Sequence, residues 1–186
     1  MKKEIRILGV DDASFDKFND KRVLVIGTVF RGGSWLDGVL STYVRVDGKN
    51  STNKLIEMIN GCKFKPQLQC IMLDGIALGG FNIVDVQMLN RKTGIPVIVV
   101  MRDYPDFKKI ESALRKLKKE GKLKLLKKAG EVIKVDNIHI QIAGVDLKKA
   151  KQFLKISCTR SYVPEPIRVA HLIGQGIAMG ESSGRA

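Results

Sequence analysis

The stretch Cys70 to Arg102, CIMLDGIALGGFNIVDVQMLNRKTGIPVIVVMR, decides the fold. It opens with the apolar run Cys70-Ile71-Met72-Leu73 and stops at Asp74-Gly75. It then passes a Gly79-Gly80 turn and ends in a second apolar run from Pro96 to Met101. Two such runs, with a helical stretch from about Phe81 to Lys92 closed by Gly94 and Pro96 between them, predict buried parallel strands joined by a helix. Units of this kind carry their chemistry beyond the carboxyl ends of the strands, where Asp74 and Arg102 both fall. An Asp-Gly pair is also an ordinary turn former, so Asp74 alone does not make a site.

Upstream of this unit, Ile5, Ile7 and Val10 introduce a first strand that closes at Asp11-Asp12. Arg22 to Phe30 and Leu36 to Val46 are β-branched and partly alternating, and Arg31-Gly32-Gly33-Ser34 between them reads as a hairpin turn. Strands one to three are expected to form an antiparallel meander. Asp47-Gly48 ends the third, and Ser51 or Thr52 then caps a helix with Leu55, Ile56 and Ile59 on one face.

Downstream, Ile110, Leu114 and Leu117 give a helix one apolar stripe. Short strands are expected at Lys122 to Leu126, Val132 to Val135 and Ile138 to Ala143, with His139 an ordinary strand residue. Asp146 reads as the N-cap of a helix to about Cys158, and Pro164-Glu165-Pro166 as the opening of another through Leu172. The expected organisation is one α/β domain over residues 1–174. Its core is a mixed five-stranded sheet, three strands antiparallel and then parallel ones, with helices on both faces. A glycine- and serine-rich tail over 175–186 is expected to be mobile.

Composition narrows the function. A chain of 186 residues, 44% apolar, can bury a sizeable core. No apolar run reaches membrane-spanning length and the start has no signal-peptide core, so a cytoplasmic protein without membrane contact is expected. Cys62, Cys70 and Cys158 offer neither a disulfide framework nor a Cys-x-x-Cys clamp, and only His139 and His171 accompany them. Any metal is therefore expected on oxygen ligands. The net charge of +14 is concentrated: residues 102–134 hold 12 Lys and Arg against 5 Asp and Glu, a net of +7. Such a segment suits a polyanion, DNA or RNA above all, with Arg102, Lys116, Lys118 and Lys119 as candidate phosphate contacts. A lysine-rich solvated face is the plainer alternative.

Carboxylates at the ends of strands one, three and four allow Asp11 or Asp12, Asp47 and Asp74 to converge. Convergent carboxylates need a cation or must share protons. Mg²⁺ or Mn²⁺ suits oxygen ligands, and two such ions can support phosphodiester hydrolysis.

The sequence also resembles an uncharacterised archaeal family distantly related to endonuclease V. Gly9-Val10-Asp11 with Ser14 and Phe15 is similar to that enzyme's Gly-Val-Asp-x-Ser-Tyr strand, and Leu73-Asp74-Gly75 to its Val-Asp-Gly. Pro96 to Arg102 is similar to its Pro-Thr-Ile-Gly-Val-Ala-Lys strand, and Val163 to His171 to its closing Leu-Pro-Glu-Pro-Thr-Arg-Leu-Ala helix. The resemblance implies a ribonuclease H-like fold with Asp11 and Asp74 as metal-binding, catalytic carboxylates. Asp47 is the third if about three residues are inserted, a shift that changes which face of a strand it occupies. Trp35-Leu36-Asp37-Gly38 takes the place of a strand-separating wedge, in which Trp35 stacks on bases if exposed and is core if packed. Two family histidines are missing: one turn reads Ile142-Ala143-Gly144-Val145, and Ile76 replaces the other. The expected function is a divalent-metal-dependent endonuclease. The alternatives are a non-catalytic nucleic-acid binding module on the same scaffold and, more remotely, an enzyme of a small phosphorylated metabolite.

Overall fold

The computed structural model describes residues 4–182. Three antiparallel strands come first, β1 (Arg6–Asp12), β2 (Arg22–Arg31) and β3 (Trp35–Arg45), followed by helix α1 (Ser51–Asn60) and strand β4 (Leu68–Asp74). Two short strands, β5 (Ala77–Leu78) and β6 (Asn82–Ile83), precede α2 (Val86–Thr93) and β7 (Val97–Met101). Then come α3 (Phe107–Lys116), α4 (Leu123–Lys128), β8 (Ile133–Val135), β9 (Ile138–Ala143), α5 (Leu147–Ser157) and α6 (Glu165–Met179).

The main sheet has seven strands in the order β3-β2-β1-β4-β7-β9-β8, against the five expected. β1, β4 and β7 run parallel, and β2, β3 and the β9-β8 pair supply the antiparallel flanks. One face buries Leu8, Val10, Leu73 and Val99 under α1 and α2, with Leu55 and Leu89 from the helices. The other buries Ile7, Met72, Ile98 and Ile140 under α5 and α6, with Phe153 and Ile167. Both faces being covered explains why the central strands read as continuous apolar runs.

Three expectations change. The segment expected as a helix from Phe81 begins instead with β6, paired to β5, because Asn82 is drawn into the core, where its amide donates to Arg45 O at 2.9 Å and its oxygen accepts from Ser51 N at 3.0 Å. The helix proper waits for Asp85, whose carboxylate accepts from Met88 N at 2.9 Å. Lys122 to Leu126 is not a strand: α4 covers most of it, and Lys122 Nζ is buried against the carbonyls of Asp47, Gly48 and Phe81. Finally, α6 extends to Met179, so residues 175–179 of the expected tail are helical, while 183–186 lie outside the described residues.

Helix α6 lies directly on β1. A Cβ at Gly9 would meet the Pro166 carbonyl carbon at 2.2 Å, so only glycine admits this approach. Thr28 Oγ1 on β2 donates to Pro166 O at 2.6 Å and fixes the helix from the neighbouring strand.

Candidate metal centre

Side chains alternate across a strand, so the register decides which carboxylates meet. Val10 is level with Leu73, which puts Asp11 and Asp74 side by side at the carboxyl ends of adjacent parallel strands. Both project from the face that α6 covers, because Ile7 on β1 and Cys70 and Met72 on β4 belong to that same core. With Pro166 and Ile167 seated on Gly9, the next turn of α6 brings His171 over Asp11, its Nδ1 2.8 Å from Asp11 Oδ2. One ligand atom each from Asp11, Asp74 and His171 lie within 4.8 Å of one another.

The electrostatics favour a cation. Burial first, then the charges of Asp74 and Asp12, push the Asp11 carboxyl up to about 9, against the pull of the Asp12 N–H and Arg102. Asp74 is also raised by burial, which Arg102 at 3.8 Å and His171 oppose. Two carboxylates and an imidazole facing one point form a donor set that could hold a divalent ion.

Asp12 points to the opposite face. Its Oδ2 accepts from Gly79 N at 2.8 Å, and burial raises its carboxyl, with that N–H pulling it down. Asp47, expected as the third carboxylate, is on this face too and is committed elsewhere. It sits beyond the end of β3 at φ 52, its Oδ1 accepts from Phe81 N at 2.7 Å, and its Oδ2 pairs with Lys119 at 3.2 Å. Burial would raise this carboxyl, and the Phe81 N–H and Lys119 together hold it below its usual range. The third member of the group among the described residues is thus His171. Where oxygen ligands alone were expected, the residues brought together are two carboxylates and an imidazole. The likeness to the closing helix of endonuclease V runs up to this histidine, but only the packing of α6 on Gly9 reveals where it goes.

The basic segment lies at the same end of the sheet. Lys118 and Lys119 line a pocket of about 580 Å³ with Lys49, Lys122 and Lys124, beside the Asp47 turn. Lys116 is exposed at the end of α3. Trp35 and Gly38 are not at this end. Trp35 is level with Arg31 and through it with Arg6, five residues below Asp11 and so about 17 Å away along the strand. Trp35 is 64% exposed and so is not core. Gly38 leaves room for the Phe64 ring, which a Cβ would meet at 2.4 Å. Asp37 pairs with Arg6 and Arg31, each at 2.8 Å, and the Arg31 hydrogen bond holds its carboxyl low. Trp35 and Gly38, expected from the resemblance as a wedge, thus lie on the β2–β3 hairpin away from the strand ends that carry Asp11 and Asp74.

A mixed sheet with three leading antiparallel strands, parallel strands after them and acidic residues at the central strand ends is a ribonuclease H-like fold. The chain belongs to the Endonuclease dU family, whose model matches residues 3–178. A UPF0215 protein of Methanothermobacter thermautotrophicus is 48% identical over 191 residues, covering 100% of this chain and 94% of that protein. The crystal structure of a protein of unknown function from Archaeoglobus fulgidus matches with a TM-score of 0.88 and 43% identity over 94% of this chain and 98% of that one. Endonuclease V of Ciona intestinalis, crystallised with a 24mer DNA containing an inosine followed by a ribo-adenosine, matches with a TM-score of 0.53 and 19% identity over 90% of this chain and 83% of that one. The last likeness is one of fold. Among the described residues no helix is long and apolar enough to cross a membrane.

Proposed function

We propose that this protein is a divalent-metal-dependent endonuclease acting on DNA or RNA, with Asp11, Asp74 and His171 holding the ion. The observation that carries the reading is the convergence of these three ligand atoms within 4.8 Å at the carboxyl end of the sheet. The basic segment at the same end supports a phosphate-rich substrate. A bound divalent ion supplies positive charge at the phosphate and acidifies coordinated water. Asp11, Asp74 and His171 orient that ion, and Arg102 beside Asp74 contacts a phosphate oxygen. Lys116 and Lys118 hold the backbone further out. The family name specifies dU, deoxyuridine, and the Ciona neighbour was crystallised on inosine. Both are products of base deamination, so strands carrying one deoxyuridine or one inosine are the first substrates to try, with undamaged DNA and RNA as controls.

A second reading, a binding module that no longer cuts, draws on one observation: Asp47 is engaged by Lys119 and the Phe81 N–H, so a second ion would lack its carboxylate. Cleavage assays in Mn²⁺ on the wild type and Asp74→Asn separate the two. The endonuclease loses several orders of magnitude in rate in the variant with binding nearly intact. A wild type that binds metal and nucleic acid but cuts none of these substrates is the binding module.

A further inference from the structure

Strand β3 is an outer strand of the seven-stranded sheet, and among the described residues no strand pairs with its free side. Val46 N donates to Lys21 O, so along this strand the even-numbered residues bond to β2, and the N–H and C=O groups of Val39, Ser41 and Tyr43 point outward. The open stretch has two defined ends. At Arg45 the edge is closed from within the chain, where Asn50 Oδ1 accepts from Arg45 N at 3.1 Å and Asn82 Nδ2 donates to Arg45 O at 2.9 Å. At Asp37 the register of β3 slips against β2, and the extra residue interrupts the edge. Ser41 is midway between the two.

Natural sheets blunt an exposed edge with lysine, proline or charge, because its unpaired backbone templates a further strand. This stretch does not. In a chain with 33 Lys and Arg, Gly38-Val39-Leu40-Ser41-Thr42-Tyr43-Val44 holds no charged residue and no proline. Val39 and Tyr43 are 47% and 52% exposed, and Arg22 lies over the Tyr43 ring at 5.4 Å. At a net charge of +14 two copies of the molecule repel each other, and an uncharged edge is where that repulsion is least.

We propose that the free edge of β3 is the contact surface for a second copy of this chain, the two edges pairing antiparallel about a two-fold axis at Ser41. Such a contact sets each surface against itself. Val39 then stands opposite the partner's Tyr43, and Ser41 opposite the partner's Ser41, each pair exchanging both backbone hydrogen bonds. Val39 with Tyr43 makes an aromatic to β-branched cross-strand pair twice over. A second copy is the occupant because the Asp37 slip and the Arg45 closure are equally far from Ser41, so the open stretch pairs completely with itself in this one register. The contact also relates the two candidate metal centres. Ser41 is level with Ile26 and through it with Asp11, so both centres come to lie on one face of a continuous sheet, five strand spacings or about 24 Å apart. The inference does not depend on what the centre binds.

The test is sedimentation of the full chain in salt high enough to screen the net charge. The wild type sediments at twice the 20.7 kDa of one chain. Ser41→Lys apposes two ammonium groups across the axis and weakens association by about a hundredfold or more, whereas Ser41→Thr leaves it unchanged. Ser41 is exposed, so the circular dichroism spectra of both variants match that of the wild type. A second readout needs no disruptive change: Ser41→Cys cross-links into a dimer under mild oxidation, the two substituted positions being about 5.5 Å apart at Cα, and Arg45→Cys cross-links no more than the wild type. Should Ser41→Lys not fold, the cross-link alone decides. A wild type of single-chain mass at the highest concentration that stays in solution overturns the proposal. A dimer that survives Ser41→Lys and is not cross-linked through Ser41→Cys overturns it too, because its contact lies elsewhere.

Discussion

Without a cation the ionised form of Asp11 is disfavoured. Its Oδ1 accepts the Asp12 N–H at 2.8 Å, but burial and the adjacent Asp74 outweigh that bond and carry the carboxyl to about 9. In the unfolded chain the same group titrates at 3.8, so between these values the folded protein holds a proton that the unfolded chain has released. Stability of the metal-free protein is therefore fully present below the unfolded value and falls as pH rises toward about 9. The raised Asp12 and Asp74 act in the same direction. Asp37, Asp47 and Asp85, whose carboxyls are lowered, act only in acid, where stability is lost as pH falls. Melting curves in EDTA should drop from about pH 5 to about pH 9, and Asp11→Asn should flatten that slope. Mn²⁺ displaces the proton, so its stabilisation should grow with pH. At a hundredfold excess over Kd it reaches about 2.7 kcal/mol, or about 5 to 10 °C for a chain of this size. Asp74→Asn should lose this gain while keeping or raising metal-free stability. A variant that keeps the metal response and loses stability would instead mark Asp74 as a turn residue.

At the scale of elements, the centre depends on how closely α6 can approach β1. Gly9→Ala puts a methyl group into the Pro166 backbone, which no side-chain rotation can relieve. The expected cost is about 1–3 kcal/mol or more, with the helix lifted and His171 displaced. Both the melting temperature and the Mn²⁺ response should fall, whereas His171→Ala should reduce the metal response with a smaller stability change. If Gly9→Ala keeps the full Mn²⁺ response, α6 does not position a ligand. The segment of α3 and α4 is tied down by Lys122, whose ammonium group donates to Asp47 O at 2.9 Å and Gly48 O at 2.6 Å. Its surface lysines are free to be changed without unfolding it. Lys116→Glu with Lys118→Glu should weaken nucleic-acid binding and make the salt dependence shallower, by about one unit of slope for each phosphate no longer neutralised. Affinity that is the same at low and high salt would dismiss the electrostatic assignment. Lys119 is the less clean choice, because its reversal also strips Asp47 of its partner.

Across the whole molecule, the sheet has two ends with different work. The carboxyl end holds Asp11, Asp74, His171 and the basic pocket, and the far end holds the hairpin of Trp35. The emission of this sole tryptophan should be that of a solvated indole and should not respond to added oligonucleotide. A shift on binding would bring the far end into the interface. The sequence by itself determined the strands of the parallel centre, because a strand buried on both faces must be apolar throughout, as Cys70–Leu73 and Pro96–Met101 are. It also determined that Asp11 and Asp74 close strands, and that the positive charge is concentrated after Arg102. What only the tertiary structure decided is which of several acids share a face. Asp11 and Asp12 are neighbours in the chain but lie on opposite sides of the sheet, so Asp47 goes with Asp12 and His171 with Asp11. That choice was fixed by strand register, which sets Val10 level with Leu73, and by the seat of α6 on Gly9, a contact between residues more than 150 positions apart. Local sequence carries no record of them, because hydrophobic patterning specifies which face of an element is buried but not which partner buries it.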